Sequence, residues 1–359
     1  MATMTAYRLL EWQAGGRYAD VPVPEPAADE ILVRVRAVGL CHSDILLQDS
    51  PPGAWPFDPG FTLGHETAGH VAARGAQVTN LAEGDPVLLS CVHSCGRCER
   101  CLRGQENYCA LSLRFTTRGV GLDGGLAEYV TAPAREAVPL RALDPADAAV
   151  LADAGATAYH AVRTCAAVLH PGTAALVIGA GGLGGFAVQH LRALTRATVI
   201  AVDTAAHRLE HAGRIGAHHT LLSGEPGPGR TPSSAPDGDT DDTTADRIRA
   251  LTPGCAAVLD FVGTDDTLAL AVGVAAPVGR IVICGAAGGQ VPVGWGRLPG
   301  GCQLSVSYGH TLADLRDVVT LAEQDALHIA TERFPFAQVG EAYRRLREGT
   351  LTSRAVITM

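Results

Sequence analysis

The apolar positions of the chain fall into two textures that meet near residue 150. Before that point, short apolar runs at 31–38, 70–73, 86–90 and 126–131 are separated by Gly, Pro and Asp. Such punctuation predicts a β-rich unit. Beyond it, apolar runs alternate with stretches of helical period. Residues 174–178, 198–202, 220–222, 258–262 and 280–284 read as strands, and a helical stretch covers 207–215. Strands that alternate with helices predict an α/β unit with a doubly wound parallel sheet. The last part is mixed, with helical period at 312–324 and 339–347 and a closing strand at 355–358.

Two segments break the pattern. Residues 223–246 are rich in Gly, Pro, Ser, Thr and Asp and hold almost no large apolar side chain. Such a stretch cannot bury enough surface to offset its ordering entropy, which predicts a surface insertion inside the second unit. The loop marked by Pro51-Pro52-Gly53 and Asp58-Pro59-Gly60 carries Trp55 and Phe57, which serve either the core or a pocket. No internal repeat is present.

Composition narrows the function classes. A chain of 359 residues suits about two domains. Its net charge of −9 and lack of a basic run argue against nucleic acid as partner. No apolar stretch reaches the ~20 residues of a membrane span, and the first residues lack a signal-peptide core. The expectation is a cytoplasmic protein that does not engage a membrane. All 28 basic residues are Arg. The absence of Lys excludes Schiff-base chemistry, a P-loop lysine and a Tyr-x-x-x-Lys couple. Of ten cysteines, five crowd between Cys91 and Cys109. In a reducing compartment they point to metal before disulfides.

Three constellations carry chemistry. Cys95, Cys98, Cys101 and Cys109 have the spacing of a closed tetrahedral Zn²⁺ site with no open position, hence a structural one. Cys91 falls outside that set. Cys41, His65 and Asp153 are candidates for a second, open Zn²⁺ site, with Asp44 as a partner of the His65 imidazole and Glu66 a further carboxylate near the ion. Asp153 also precedes a helical stretch, so a simple helix N-cap is an equal reading of that residue. Gly179, Gly181, Gly182, Leu183 and Gly184 form a glycine-rich turn after a predicted strand and before a predicted helix. That is the context of a dinucleotide fingerprint. Asp203 ends the next strand, where a carboxylate binds the ribose hydroxyls and repels a 2′-phosphate, so NAD is favoured over NADP.

With these residues in view, the chain resembles the zinc-dependent medium-chain alcohol dehydrogenases along nearly its whole length. The carrying residues are Gly39-Leu40-Cys41-His42-Ser43-Asp44, Gly64-His65-Glu66 through Gly69, the four-cysteine lobe, the glycine turn, and the ending Tyr343 to Gly349 with Arg354. The stretch Leu151-Ala152-Asp153-Ala154-Gly155 is similar to the bacterial secondary-alcohol branch, in which Asp is the third zinc ligand. The resemblance implies a GroES-like catalytic domain over 1–152 and 295–359, around an inserted Rossmann domain over 153–294. It implies a cleft between them for zinc, alcohol and nicotinamide. It implies a homodimer or homotetramer with a strand near 303–307 pairing across subunits. His42, Arg208 and Arg354 then join the glycine turn and Asp203 as cofactor contacts, and Ser43 accepts the alcohol proton. Leu46, Trp55, Phe57, Leu122 and Tyr308 become pocket walls. Leu46 stands where many members carry a His that continues the proton relay. The proton then leaves through the cofactor ribose and water, or through His42.

The expected activity is hydride transfer between NAD(H) and a secondary alcohol or ketone, or a related alcohol or aldehyde. A specialised biosynthetic substrate, or reduction of another polarised double bond, would use the same parts. A scaffold that keeps only the structural zinc is the non-enzyme alternative. The residues at 41, 43, 44, 65, 66 and 153 argue against it.

Overall fold

The structure, a computed structural model, describes residues 2–112, 116–224 and 243–359. Most of the expected insertion at 223–246 therefore lies outside the described residues. Its final residues open a helix, Thr244–Leu251. There the Thr243 hydroxyl accepts the Asp246 N–H while the Asp246 carboxylate accepts the Thr243 N–H, a reciprocal cap.

The described chain forms two compact units, Met1–Ala156 with Gly309–Met359, and Thr157–Tyr308. The first is β-rich. Its main sheet orders the strands Ala137–Pro139, Pro86–Leu89, Glu66–Arg74, Glu30–Gly39, Arg354–Thr358 and Thr331–Pro335, and Tyr129–Pro133 also pairs with Glu30–Gly39. Glu30–Gly39 shows why: Ile31, Val33 and Val35 are buried while Arg34 and Arg36 are exposed. That period of two makes one face the core. A smaller sheet joins Gly16–Pro22, Thr3–Leu9 and Phe61–Thr62.

The second unit holds six parallel strands in the order His219–Leu222, Thr198–Asp203, Ala174–Ile178, Cys255–Asp260, Ala275–Ile283 and Gln303–Val306. In chain order this is 3-2-1-4-5-6, the doubly wound dinucleotide-binding arrangement. Ala174–Ile178 is buried at every position, as expected of a strand covered by helices on both faces.

The compact units divide at 156/157 and 308/309, whereas the expected domain boundaries fall at 152/153 and 294/295. The later second boundary follows from Gln303–Val306. This strand pairs in parallel with Ala275–Ile283 and so extends the sheet of the second unit.

Candidate active site and metal centres

The strand Glu30–Gly39 delivers Cys41 to the start of a short helix, His42–Asp49. Asp44 lies in the first turn of that helix, where its Oδ2 accepts the Cys41 N–H at 3.0 Å. A carboxylate there is also favoured by the helix dipole. So anchored, Asp44 presents Oδ1 at 2.9 Å from Nδ1 of His65. His65 immediately precedes the strand Glu66–Arg74, which pairs antiparallel with Glu30–Gly39 so that Gly39 lies opposite Glu66. This register brings Cys41 and His65 to one end of the sheet. Asp153, just before the helix Ala154–Cys165, completes the group.

Asp153 Oδ2 lies 3.6 Å from Cys41 Sγ and 3.6 Å from His65 Nε2. All three donor atoms fall within 4.8 Å of one another. Bonds of about 2.0–2.3 Å to a tetrahedral Zn²⁺ place S, N and O donors about 3.3–3.6 Å apart, so the set fits that ion with one position left open. Burial alone would lower the His65 pKa. The Asp44 carboxylate, aided by Asp153 and Cys41, reverses this and raises it well above its usual value. Ser43 is exposed, with Oγ 3.5 Å from His65 Nε2.

Glu66 is fully buried beside this group, and burial pushes its pKa up to about 7, against the opposing pull of Arg354. Its Oε1 accepts from the Arg354 guanidinium and from the Ala154 N–H. Arg354, placed at the cofactor by the sequence reading, thus pairs with Glu66 inside the first unit. Tyr343, also buried, carries no signal in the sequence for a role here. Burial, then the nearby Asp44 carboxylate, hold its phenol well above its usual pKa.

Cys95, Cys98, Cys101 and Cys109 form the second cluster, again with all sulfurs within 4.8 Å. Three of its S···S edges, at 3.8, 3.4 and 3.9 Å, compare with about 3.7 Å for four thiolates on one Zn²⁺. Backbone N–H groups of Arg97 and Cys98 point at Cys95 Sγ, and that of Cys95 at Cys109 Sγ. Such donors stabilise thiolates. The Cys98 thiol is lowered to about 6, first by backbone hydrogen bonding at Cys101.

The lobe is tied to the sheet by Glu136. Its buried carboxylate accepts from the Ser94 N–H at 3.1 Å, Arg118 at 2.6 Å and Arg135 at 2.9 Å, and meets His93. Burial opposes ionisation, but His93, Arg118 and Arg135 outweigh it and lower the Glu136 pKa. A carboxyl depressed on folding stabilises above its unfolded pKa and loses that contribution as pH falls through the folded value. Glu136→Gln is therefore expected to cost about 3 kcal/mol at neutral pH, because the buried Arg118 guanidinium and the half-buried Arg135 lose their counter-charge. In urea titrations the gap between variant and wild type should close as pH drops below the ordinary carboxylate range. A gap independent of pH would show that packing, not charge, is lost.

In the second unit, Ala174–Ile178 leads through the glycine turn into the helix Gly182–Leu194. A Cβ on Gly184 would lie 1.8 Å from the Gly179 carbonyl oxygen, so only glycine permits this helix–strand approach. No side chain caps the helix at Gly181, and a Cβ there would meet open space, which leaves the N-terminus accessible to a phosphate. Asp203 ends its strand and accepts the Ala180 and Ala205 N–H groups at 2.8 and 2.9 Å. Arg208 lies 3.7 Å from it. These residues suit a dinucleotide with its pyrophosphate at the turn and a ribose at Asp203.

Of the suggested pocket residues in the first unit, Trp55 and Phe57 stack at 5.6 Å and pack on the core, and Leu46 and Leu122 are exposed. His42 is exposed. The strand Gln303–Val306, expected to pair with a second subunit, is the outermost strand of its sheet. Among the described residues no helix is long and apolar enough to cross a membrane.

Comparison with known proteins gives the same reading. Residues 27–142 match the alcohol dehydrogenase GroES-like domain, and residues 182–324 match the zinc-binding dehydrogenase family. An NAD-dependent alcohol dehydrogenase of Sulfurisphaera tokodaii is 34% identical over 298 residues, 80% of each chain. Among solved structures, the alcohol dehydrogenase of Aeropyrum pernix superposes with a TM-score of 0.86 at 30% identity, covering 99% of this chain and 100% of that one. Acetophenone reductase of Geotrichum candidum, solved with NAD, gives 0.83 at 27% identity, with 99% and 97% covered. With the two metal-fitting clusters and the 3-2-1-4-5-6 sheet, these likenesses establish that the chain belongs to the zinc-dependent medium-chain alcohol dehydrogenase family.

Proposed function

We propose that the chain is an NAD-dependent, zinc-dependent dehydrogenase that interconverts secondary alcohols and ketones. The observation that carries this reading is the open three-donor set of Cys41, His65 and Asp153, with the Ser43 hydroxyl beside it. Bound there, zinc supplies Lewis acidity, lowering the pKa of an alcohol hydroxyl at the open position. NAD, bound at the glycine turn, supplies the hydride acceptor.

The chain's own groups do the rest. Asp44 fixes the His65 ring by accepting from Nδ1, which leaves Nε2 facing the metal position. Ser43 Oγ accepts the alcohol proton as it passes its own on, through the cofactor ribose and water or through His42. Glu66, paired with Arg354, offsets charge next to the donor set. Gly181 and the helix N-terminus hold the pyrophosphate, and Asp203 holds the adenosine ribose. His42 and Arg208 complete the cofactor contacts.

The protein works in the cytoplasm, in keeping with ten unpaired cysteines. It assembles as a homodimer or homotetramer through the Gln303–Val306 edge, where Val306 and nearby Val278 are exposed. An unpaired strand edge with apolar side chains is a template for a second copy.

The test is a panel of secondary alcohols, primary alcohols and ketones followed by NADH absorbance, on protein whose zinc content is measured. Two zinc ions per chain and preferential turnover of secondary alcohols are expected. One zinc per chain, or turnover of primary alcohols alone, would overturn the reading.

Cofactor choice rests on Asp203. Asp203→Gly is expected to shift the ratio of kcat/KM for NAD over NADP by about 10–100-fold towards NADP, the value of a charged hydrogen bond. Arg208, no longer held by the carboxylate, would face the 2′-phosphate. An unchanged ratio in initial-rate assays would take Asp203 out of the ribose site.

A further inference from the structure

The thiol of Cys91, which belongs to neither zinc set, lies 3.8 Å from Asp153 Oδ1. This is the carboxylate oxygen turned away from Cys41 and His65, both of which face Oδ2. Behind the thiol stands His310, fully buried, with Nδ1 3.9 Å from Cys91 Sγ and Nε2 3.2 Å from Ser90 Oγ. Ser90 is buried too; its Oγ accepts the Val92 N–H at 3.1 Å and donates to the Val92 carbonyl at 3.1 Å. All four groups belong to the first unit.

The backbone is shaped for this arrangement. Gly309 has φ +53°, and a Cβ on it would press to 2.8 Å from Val92 Cγ2. Glycine at that position lets the segment pass close to Val92 and set His310 against Ser90. The Thr117 hydroxyl donates to the Cys91 carbonyl and holds the other side.

We propose that the Cys91 thiol, backed by His310, engages Asp153 Oδ1 and orients that carboxylate, making Cys91 a positioning residue of the catalytic metal centre. The Cys91 S–H donates to Asp153 Oδ1, and His310, held at Nε2 by Ser90, closes the far side of the sulfur. A carboxylate has two equivalent oxygens and rotates freely unless one is engaged. With Oδ1 occupied by the thiol, Oδ2 alone is presented to the metal. Partners of this kind, one bond removed from a metal, typically affect its affinity by about 10–100-fold.

The inference rests on the proposed zinc role of Cys41, His65 and Asp153, and its test separates the two. Full-length wild type, Cys91→Ala and Cys91→Ser are compared by chelator competition for the more labile metal, and by the visible absorption of protein with cobalt in that site. Cys91→Ala is expected to bind about 10–100-fold more weakly and to show a shifted cobalt spectrum, with the four-cysteine zinc retained. Cys91→Ser keeps a donor and should recover most of that affinity. The substituted side chains are small, so unchanged circular dichroism is expected for both. Wild-type affinity and spectrum in Cys91→Ala would overturn the thiol's role while leaving the zinc reading intact. Equal weakening in Ala and Ser variants would also overturn it, since donation would not be the cause. A wild type with only one metal per chain would overturn both.

Discussion

Asp153→Ala is expected to lower the zinc content from two ions per chain to one and to reduce alcohol turnover by at least about a thousandfold. The donor set has three members, and an alanine leaves Cys41 and His65 alone to hold the ion. Two ligands do not keep zinc in a site that must also stay open to substrate. The fold should survive, because Asp153 sits in a turn before a helix and its side chain is 15% exposed. Metal analysis and NADH absorbance on the same sample decide the matter. Retained turnover with two zinc ions would show that the third ligand is another residue.

Cys101→Ala should do the opposite. Its thiol is buried within the four-sulfur cluster, and removing it opens a site that has no other purpose than to be closed. Structural zinc contributes directly to folding free energy. A loss of several kcal/mol corresponds to a fall in Tm of about 10 °C or more in a unit of this size. The remaining metal should stay with Cys41, His65 and Asp153, so freshly prepared protein keeps activity and loses it quickly on warming. A variant as heat-resistant as wild type would show that the lobe is held by other means, with the Glu136 clamp the first to examine.

Much of this site was legible in the sequence because its determinants are local. The four cysteines span 95 to 109, and their spacing alone implied one tetrahedral ion. The glycine turn was legible because its strand and helix flank it directly. Asp153 was not, since a carboxylate before a helix has an ordinary capping explanation, and only resemblance raised it to a ligand. The partners that depend on long-range packing left no local mark. Tyr343 near Asp44, Arg354 on Glu66 and His310 behind Cys91 are each brought in from the far end of the chain.

The fold shows the same division. The buried strand Ala174–Ile178 and the helix Leu312–Glu323 follow from hydrophobic period almost to the residue. The strands Thr3–Leu9 and Gly16–Pro22 were missed, although Gly15, at positive φ beside Gln13, marks the reversal between them. The helix Asp265–Val274 was missed as well. Its run Leu-Ala-Leu-Ala-Val is apolar on all sides and carries no amphipathic period, and it flows directly into the strand Ala275–Ile283.

The strand Arg354–Thr358 has a consequence for how the protein is made. It is inserted between Glu30–Gly39 and Thr331–Pro335, and its Arg354 reaches back 288 residues to Glu66. During synthesis the sheet that bears Cys41 and His65 must wait for this last strand, while the six parallel strands of the second unit are already complete. At ribosomal rates of about 5–20 residues per second, the unfinished sheet stays open for several seconds or longer. In that interval Cys41 and His65 are made but not yet flanked by that strand, so the nascent chain leaves this donor set more open than the finished protein does.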